Sequence, residues 1–229
     1  MKRSSLLFLL VILMQGLSAQ IPMINGWMEN FRFQKITEGT YSRFNLKLSD
    51  IQGTPYLDDQ FAPAKIIASE GTIYADIPLR YNAYSDDLEF KKGNDVYTID
   101  PKTIIRRAEF GGLVFSCRSY DYEGKTQNGF FEVLVDGAGA LLVKYTIRFL
   151  EQDEVKAFAV QKPARFEEVQ KQYFISIEGG AAKLLGNKKS LIEMFGEKKA
   201  EMETFISKNK LAVKGDDALT KILVHYNSL

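Results

Sequence analysis

Histidine and cysteine are nearly absent from this sequence: its 229 residues hold one of each, His225 and Cys117. Zinc sites that need several such ligands are thereby excluded, and so is a disulfide within the chain. Neither sign of charge dominates, with 30 Lys plus Arg against 29 Asp plus Glu, so nothing pulls the chain over long range toward nucleic acid or anionic lipid. No acidic segment has the spacing of a calcium loop, and Gly137-Ala138-Gly139 lacks the further spaced glycine of a phosphate-cradling loop. The sequence calls for no metal and no cofactor. What is present is ordinary globular material: 45% apolar, 26% charged and 12% aromatic residues, which argues against disorder and coiled coil.

The longest apolar run is the nine residues 6–14, preceded by Lys2 and Arg3 and followed by Gln15-Gly16-Leu17-Ser18-Ala19. That is the layout of a secretory signal peptide, with cleavage expected after Ala19. Nine residues of helix are too short to cross a hydrocarbon core of roughly 30 Å. The only cysteine lies far downstream, so no acylation site follows the run. The reading is therefore an exported chain, periplasmic or extracellular, with no membrane span once residues 1–19 are removed. Cleavage leaves 28 basic against 29 acidic residues.

Residues 20–185 read as a β-rich body. Short segments rich in Val, Ile, Phe, Tyr and Thr are separated by Gly, Asn and Asp, a spacing that favours an antiparallel meander closed as a sandwich or barrel. Turns are expected at Ser69-Glu70-Gly71, Gly93-Asn94-Asp95, Gly111-Gly112, Asn128-Gly129, Asp136-Gly137-Ala138-Gly139 and Gly179-Gly180. Strands are expected over 113–122, 130–136, 140–150 and 155–160, with 130–135 apolar enough to be buried on both faces. Between Leu79 and Lys92, a two-residue turn at Ser85-Asp86 pairs Ala83 with Leu88 and Tyr81 with Phe90 on one face, and Asn82 with Glu89 and Arg80 with Lys91 on the other.

Residues 186–229 change period and form a helical C-terminal segment packed on the body. Helices are expected over 190–195, 197–209 and 216–227, the last with Leu219, Ile222, Leu223 and Tyr226 on one stripe and Asp216 as its cap. His225 falls beside that stripe, a boundary position.

No catalytic set emerges. A triad would have to use His225, and a Cys117–His225 pair would need a depressed thiol pKa that its strand-like, apolar surroundings do not suggest. Acidic pairs are plentiful (Asp58-Asp59, Asp86-Asp87, Asp216-Asp217), and two facing carboxylates could hydrolyse glycans. Most sit where turns are expected, and there Asp serves the backbone. The best local candidate for recognition is the polar face Arg80, Asn82, Tyr84, Asp87 and Glu89, read as a solvated sheet face.

At Gly53-Thr54-Pro55-Tyr56-Leu57-Asp58, at Leu79-Arg80-Tyr81-Asn82-Ala83-Tyr84 and at Leu88-Glu89-Phe90, the chain resembles a family of uncharacterised exported proteins of Bacteroidetes-type bacteria. The likeness covers residues 51–101, with a looser echo over 188–229. It implies a double-membrane envelope as the setting and lends no activity, so it carries over no catalytic residue. The expectation is a non-enzymatic binding or envelope-assembly protein whose partner is an envelope protein or glycan. A carboxylate-based glycan hydrolase and a carrier of small apolar ligands are the alternatives.

Overall fold

The structure, a computed structural model, describes residues 32–35, 46–152 and 162–229. The expected signal at 1–19 and the expected strand at 155–160 lie outside the described residues. Thirteen strands are present among them: β1 (Arg32–Lys35), β2 (Ala62–Ala68), β3 (Ile73–Asn82), β4 (Asp87–Lys92), β5 (Asp95–Asp100), β6 (Ile105–Phe110), β7 (Leu113–Tyr122), β8 (Lys125–Val135), β9 (Gly139–Thr146), β10 (Phe149–Leu150), β11 (Arg165–Phe166), β12 (Gln170–Ile177) and β13 (Lys183–Leu184). Eleven form one sheet in the order β1-β5-β4-β3-β2-β6-β7-β8-β9-β12-β13, while β10 and β11 pair separately. Every strand pairing is antiparallel. The fold is the mainly β, antiparallel arrangement with a helical C-terminal segment that the period-2 pattern and regular turn spacing imply. It is two meanders rather than one: after β5 the chain passes through a short 3-10 turn at Lys102–Ile104 and resumes beside β2 with β6.

Five of the expected turns join successive strands, but Asn128-Gly129 does not. Both residues lie inside β8, where Arg118 pairs with Gly129 and Ser119 with Asn128. The turn between β7 and β8 is Glu123-Gly124, with φ of 49° and 75°. The β3–β4 register also differs from expectation, by two residues: Leu79 pairs with Phe90, Arg80 with Glu89, Tyr81 with Leu88 and Asn82 with Asp87. A shift of two keeps every side chain on its expected face. Its cause is Asn82, whose Oδ1 accepts the amide hydrogens of Tyr84 and Ser85, each at 3.1 Å. That widens the turn to 83–86 and leaves Asp86 at φ 58°, a conformation that Asp tolerates better than most residues.

The sheet curls back on itself. Ile147, just past β9, donates its amide hydrogen to the Ala83 carbonyl beyond β3, and Ala182 exchanges backbone hydrogen bonds with Ser119 and Asp121 of β7. The interior is packed with Tyr81, Phe90, Phe115 and Phe130, each at most 1% exposed. Tyr81 and Phe115 lie 4.8 Å apart, centroid to centroid. Seven consecutive residues of β9, from Gly139 to Tyr145, are buried, so that strand is covered on both sides.

The covering comes partly from the helices α1 (Lys188–Met194), α2 (Lys199–Lys208) and α3 (Asp216–Ser228). Helices this short are marginal alone. They gain stability by burying Leu191, Met202, Ile206, Leu219, Ile222, Leu223 and Tyr226 against Val135, Leu141 and Ile175 of the sheet. Asp216 does not cap α3. Gly215 holds that position, and the Asp216 carboxylate accepts from the Tyr173 hydroxyl at 2.6 Å and from Lys171 Nζ at 3.0 Å, tying the helix to β12.

Candidate functional site

The polar face singled out from the sequence is largely covered. Asn82 is 4% exposed and Glu89 2%, Arg80 and Asp87 are half-buried, and of the five only Tyr84 is exposed, at 42%. Arg80 Nε and Nη2 donate to Glu89 Oε2 at 3.0 and 2.8 Å, and Asn82 Nδ2 donates to Oε1 at 2.9 Å. Above this pair lies the segment 53–61. The Tyr56 ring sits 3.5 Å from the Arg80 guanidinium carbon and Phe61 4.3 Å. The stretches 53–58 and 79–84 thus pack on each other and on β4. Gly53 permits it, since at φ 78° a Cβ there would come within 2.8 Å of the Phe166 carbonyl oxygen. The solvated-face expectation fails because the sequence gives no hint that this loop folds back as a lid.

A second cluster sits where the β3–β4 turn meets β8 and β9. Asp86 Oδ1 is 2.6 Å from Lys144 Nζ and accepts from the Tyr81 hydroxyl at 2.7 Å. Lys102 Nζ stands 3.4 Å from Asp86 Oδ2 and 3.1 Å from Asp87 Oδ1, and it also donates to the Asp86 carbonyl. Lys144 donates to the Phe130 carbonyl at 3.1 Å. Burial lowers the Lys144 pKa, an effect that Asp86 opposes, while burial and then Asp86 hold the Tyr81 hydroxyl well above its ordinary range. Each charge here faces a partner of opposite sign, the arrangement of a structural ion cluster.

Cys117 lies on β7 against the main core, and burial, then the Asp86 charge, pushes its thiol up to about 11. His225, on α3, stacks on Phe205 with centroids 3.7 Å apart, so it is the boundary histidine its position implies. The two belong to different packing clusters. The acidic pairs serve turns and ion pairs: Asp58 Oδ1 accepts the Gln60 amide hydrogen at 2.8 Å, and Asp59 accepts from the Thr54 hydroxyl.

The third feature was not singled out from the sequence. A cavity of about 430 Å³ opens on β6, β7 and the end of β8, lined by Arg106, Arg107, Arg118 and Asp136 together with Ser116, Cys117 and Val133. A β-bulge builds it. In the β2–β6 pairing Ile67 faces Arg107 and Ala68 faces Ile105, so Arg106 is the extra residue. A bulge re-aims side chains and breaks alternation; Ile105 and Ala108 are buried, whereas Arg106 is exposed and Arg107 half-buried. The Ser116 hydroxyl donates to the Arg106 carbonyl at 2.7 Å, satisfying a group that the bulge disturbs. Arg118 Nη2 donates to Asp136 Oδ1 at 3.0 Å, while its Nε is buried and has no hydrogen-bond partner among the described residues. Arg107 Nε donates to Glu109 Oε1 at 2.6 Å, which lowers the Glu109 pKa. The available signal was the Arg106-Arg107 doublet between buried Ile105 and Ala108, two polar residues where alternation allows one.

No helix among the described residues is long and apolar enough to cross a membrane. No family model, no curated protein and no solved structure matches the chain.

Proposed function

We propose that this chain is an exported, non-enzymatic binding protein of the cell envelope, and that it meets its partner at the arginine-lined cavity on β6 and β7. The observation that carries the reading is the bulge, which brings Arg106 and Arg107 to the same open cavity as Arg118, where Arg107 and Arg118 are each held by one carboxylate through one nitrogen, whereas the Arg80–Glu89 and Asp86–Lys144 clusters are largely buried. The N-terminal pattern and the likeness to exported Bacteroidetes-type proteins support the envelope setting. An interior filled with aromatic rings, rather than a lined hollow, weighs against an apolar-ligand carrier. Acidic residues spent on turns weigh against a two-carboxylate hydrolase.

The test is affinity capture of the full chain, expressed with its own leader in crosslinked cells, beside an Arg106→Ala/Arg118→Ala double variant. A partner retained by the parent and lost by the double variant is the expected result. Equal recovery by both proteins would remove the cavity from the function.

A further inference from the structure

We propose that the cavity is a phosphate site that takes the dianionic group of a phosphomonoester or of inorganic phosphate. This rests on the binding reading above and names the chemistry of the ligand. The Nε and Nη2 hydrogens of an arginine form a fork that grips two oxygens of one anion. In Arg118 that fork is half used: Nη2 holds a single Asp136 oxygen, and Nε is buried without a partner among the described residues. Because Nε is enclosed, an arriving anion takes both hydrogens by displacing Asp136, and it gains the one that Asp136 leaves idle.

The number of donors selects phosphate over carboxylate. Arg118 lends its guanidinium to the lining, with Nη2 on Asp136 and Nε enclosed. Arg106 supplies a second guanidinium, and Arg107, whose Nε is spent on Glu109, keeps its terminal N–H groups. A carboxylate carries a single charge and its acceptor sites lie in one plane, whereas phosphate carries more charge and presents further oxygens out of that plane for the remaining guanidinium groups. A free carboxylate would also be exchanging like for like with Asp136, which is already tethered beside Arg118. Three guanidinium groups against one lining carboxylate favour the ligand with the greater charge, and a phosphomonoester is mostly dianionic at neutral pH.

Titration calorimetry of the full chain with inorganic phosphate, and in parallel with acetate, tests the assignment. Phosphate is expected to bind and acetate to give no heat at the same concentrations. Arg118→Lys keeps the charge but not the fork and is expected to weaken phosphate at least tenfold with an unchanged melting temperature. Asp136→Asn is expected to strengthen it by freeing the fork. Acetate binding as well as phosphate, Arg118→Lys binding like the parent, or no heat with phosphate would each overturn the proposal. Flotation with phosphatidylcholine vesicles, with and without phosphatidic acid, separates sources of the same chemistry. Lipid-dependent flotation lost in Arg118→Ala supports a headgroup, and phosphate binding without flotation supports a soluble ligand. Failure of phosphate alongside Arg118-dependent capture of a partner overturns the phosphate assignment and leaves the binding reading standing. Phosphate binding without such capture does the reverse.

Discussion

Asp86 reaches from the β3–β4 turn to the Phe130 amide, whose nitrogen lies 3.2 Å from Oδ1 and 3.3 Å from Oδ2. The described β8–β9 pairing runs from Glu132 toward Val135, so Phe130 falls just outside it. The two strands part there, and a carboxylate from 44 residues away takes the place of the missing strand partner. Lys144 closes the gap from the other side by donating to the Phe130 carbonyl. A buried amide left unpaired is costly, so this one side chain both completes the ladder and pins the hairpin to the far side of the curl.

Removing the carboxylate should therefore cost more than removing the ammonium. Asp86→Ala leaves the Lys144 charge and the Phe130 amide without their partner, for an expected loss of about 3 kcal/mol. Lys144→Met leaves Asp86 paired with Lys102 and Tyr81 and should cost less. In denaturant titrations the double variant should lose clearly less than the two single losses combined, and strict additivity would show that the groups are not coupled.

Gly129 lies close against the Asp86–Lys144 pair. A Cβ at this position would come 2.5 Å from Lys144 Nζ, 2.7 Å from Asp86 Oδ2 and 3.0 Å from Tyr120 Cε1. Gly129→Ala should destabilise by about 2 kcal/mol, within the usual range for overpacking. The loss should shrink in the Lys144→Met background, where the crowded ammonium is gone. A wild-type midpoint for Gly129→Ala would contradict the packing.

The thiol of Cys117, held at about 11 by burial and then by the Asp86 charge, should be inert while the protein is folded. At pH 8, alkylation should be slower than in the denatured chain by on the order of a hundredfold, because the thiolate is the reactive form. The raised pKa also sets a sign. Its stabilisation is complete below the unfolded thiol value of about 8.5 and is lost as pH rises toward the folded value. Cys117→Ala should flatten the alkaline limb of a stability–pH curve, and an unchanged limb would count against this account.

At the acid end one group with a lowered pKa is Asp216, held down by the Tyr173 hydroxyl first and by Lys171 second. Its stabilisation is present above the unfolded carboxyl value of about 3.9 and disappears as pH falls through the lower folded value. Both carboxylate and lysine are partly solvated, so the contribution should stay below about 1 kcal/mol. Asp216→Asn should lower stability at pH 7 and leave pH 2 nearly unaltered. Equal losses at both pH values would assign the effect to helix packing instead.

Arg80, Asn82 and Tyr84 make poor probes of a surface. Arg80→Ala strips the partner from a Glu89 side chain only 3% exposed and removes the guanidinium under Tyr56, so it should cost about 3 kcal/mol. Tyr84→Ala loses ring contacts with Phe166 and Phe149, at 5.4 and 6.4 Å, and should cost about 1 kcal/mol. A triple exchange that left the melting temperature unaltered would contradict the covered arrangement.

Strand and helix identities were legible because the forces that set them act over a few residues. Gly-containing turns mark the ends of β2, β4, β6, β8 and β12, and the stripe Leu219, Ile222, Leu223 and Tyr226 is buried as its spacing requires. Asn128-Gly129 misled because a glycine needed for close approach reads the same in sequence as one needed for a turn. The β3–β4 register misled because Asn82 turns its own side chain back on the amides of the loop, an option that strand alternation does not reveal.

By itself, then, the sequence determined the antiparallel β body, the helical end, the scarcity of metal-binding residues and the side of the β3–β4 hairpin on which each residue falls. The tertiary structure alone decided which charges are buried together, which face of the sheet a loop covers, and where a bulge turns two arginines outward. The reason is range: periodicity and turn preference are properties of neighbours in the chain, whereas the partners of Asp86, Lys144 and Arg118 come from strands that meet only when the sheet curls.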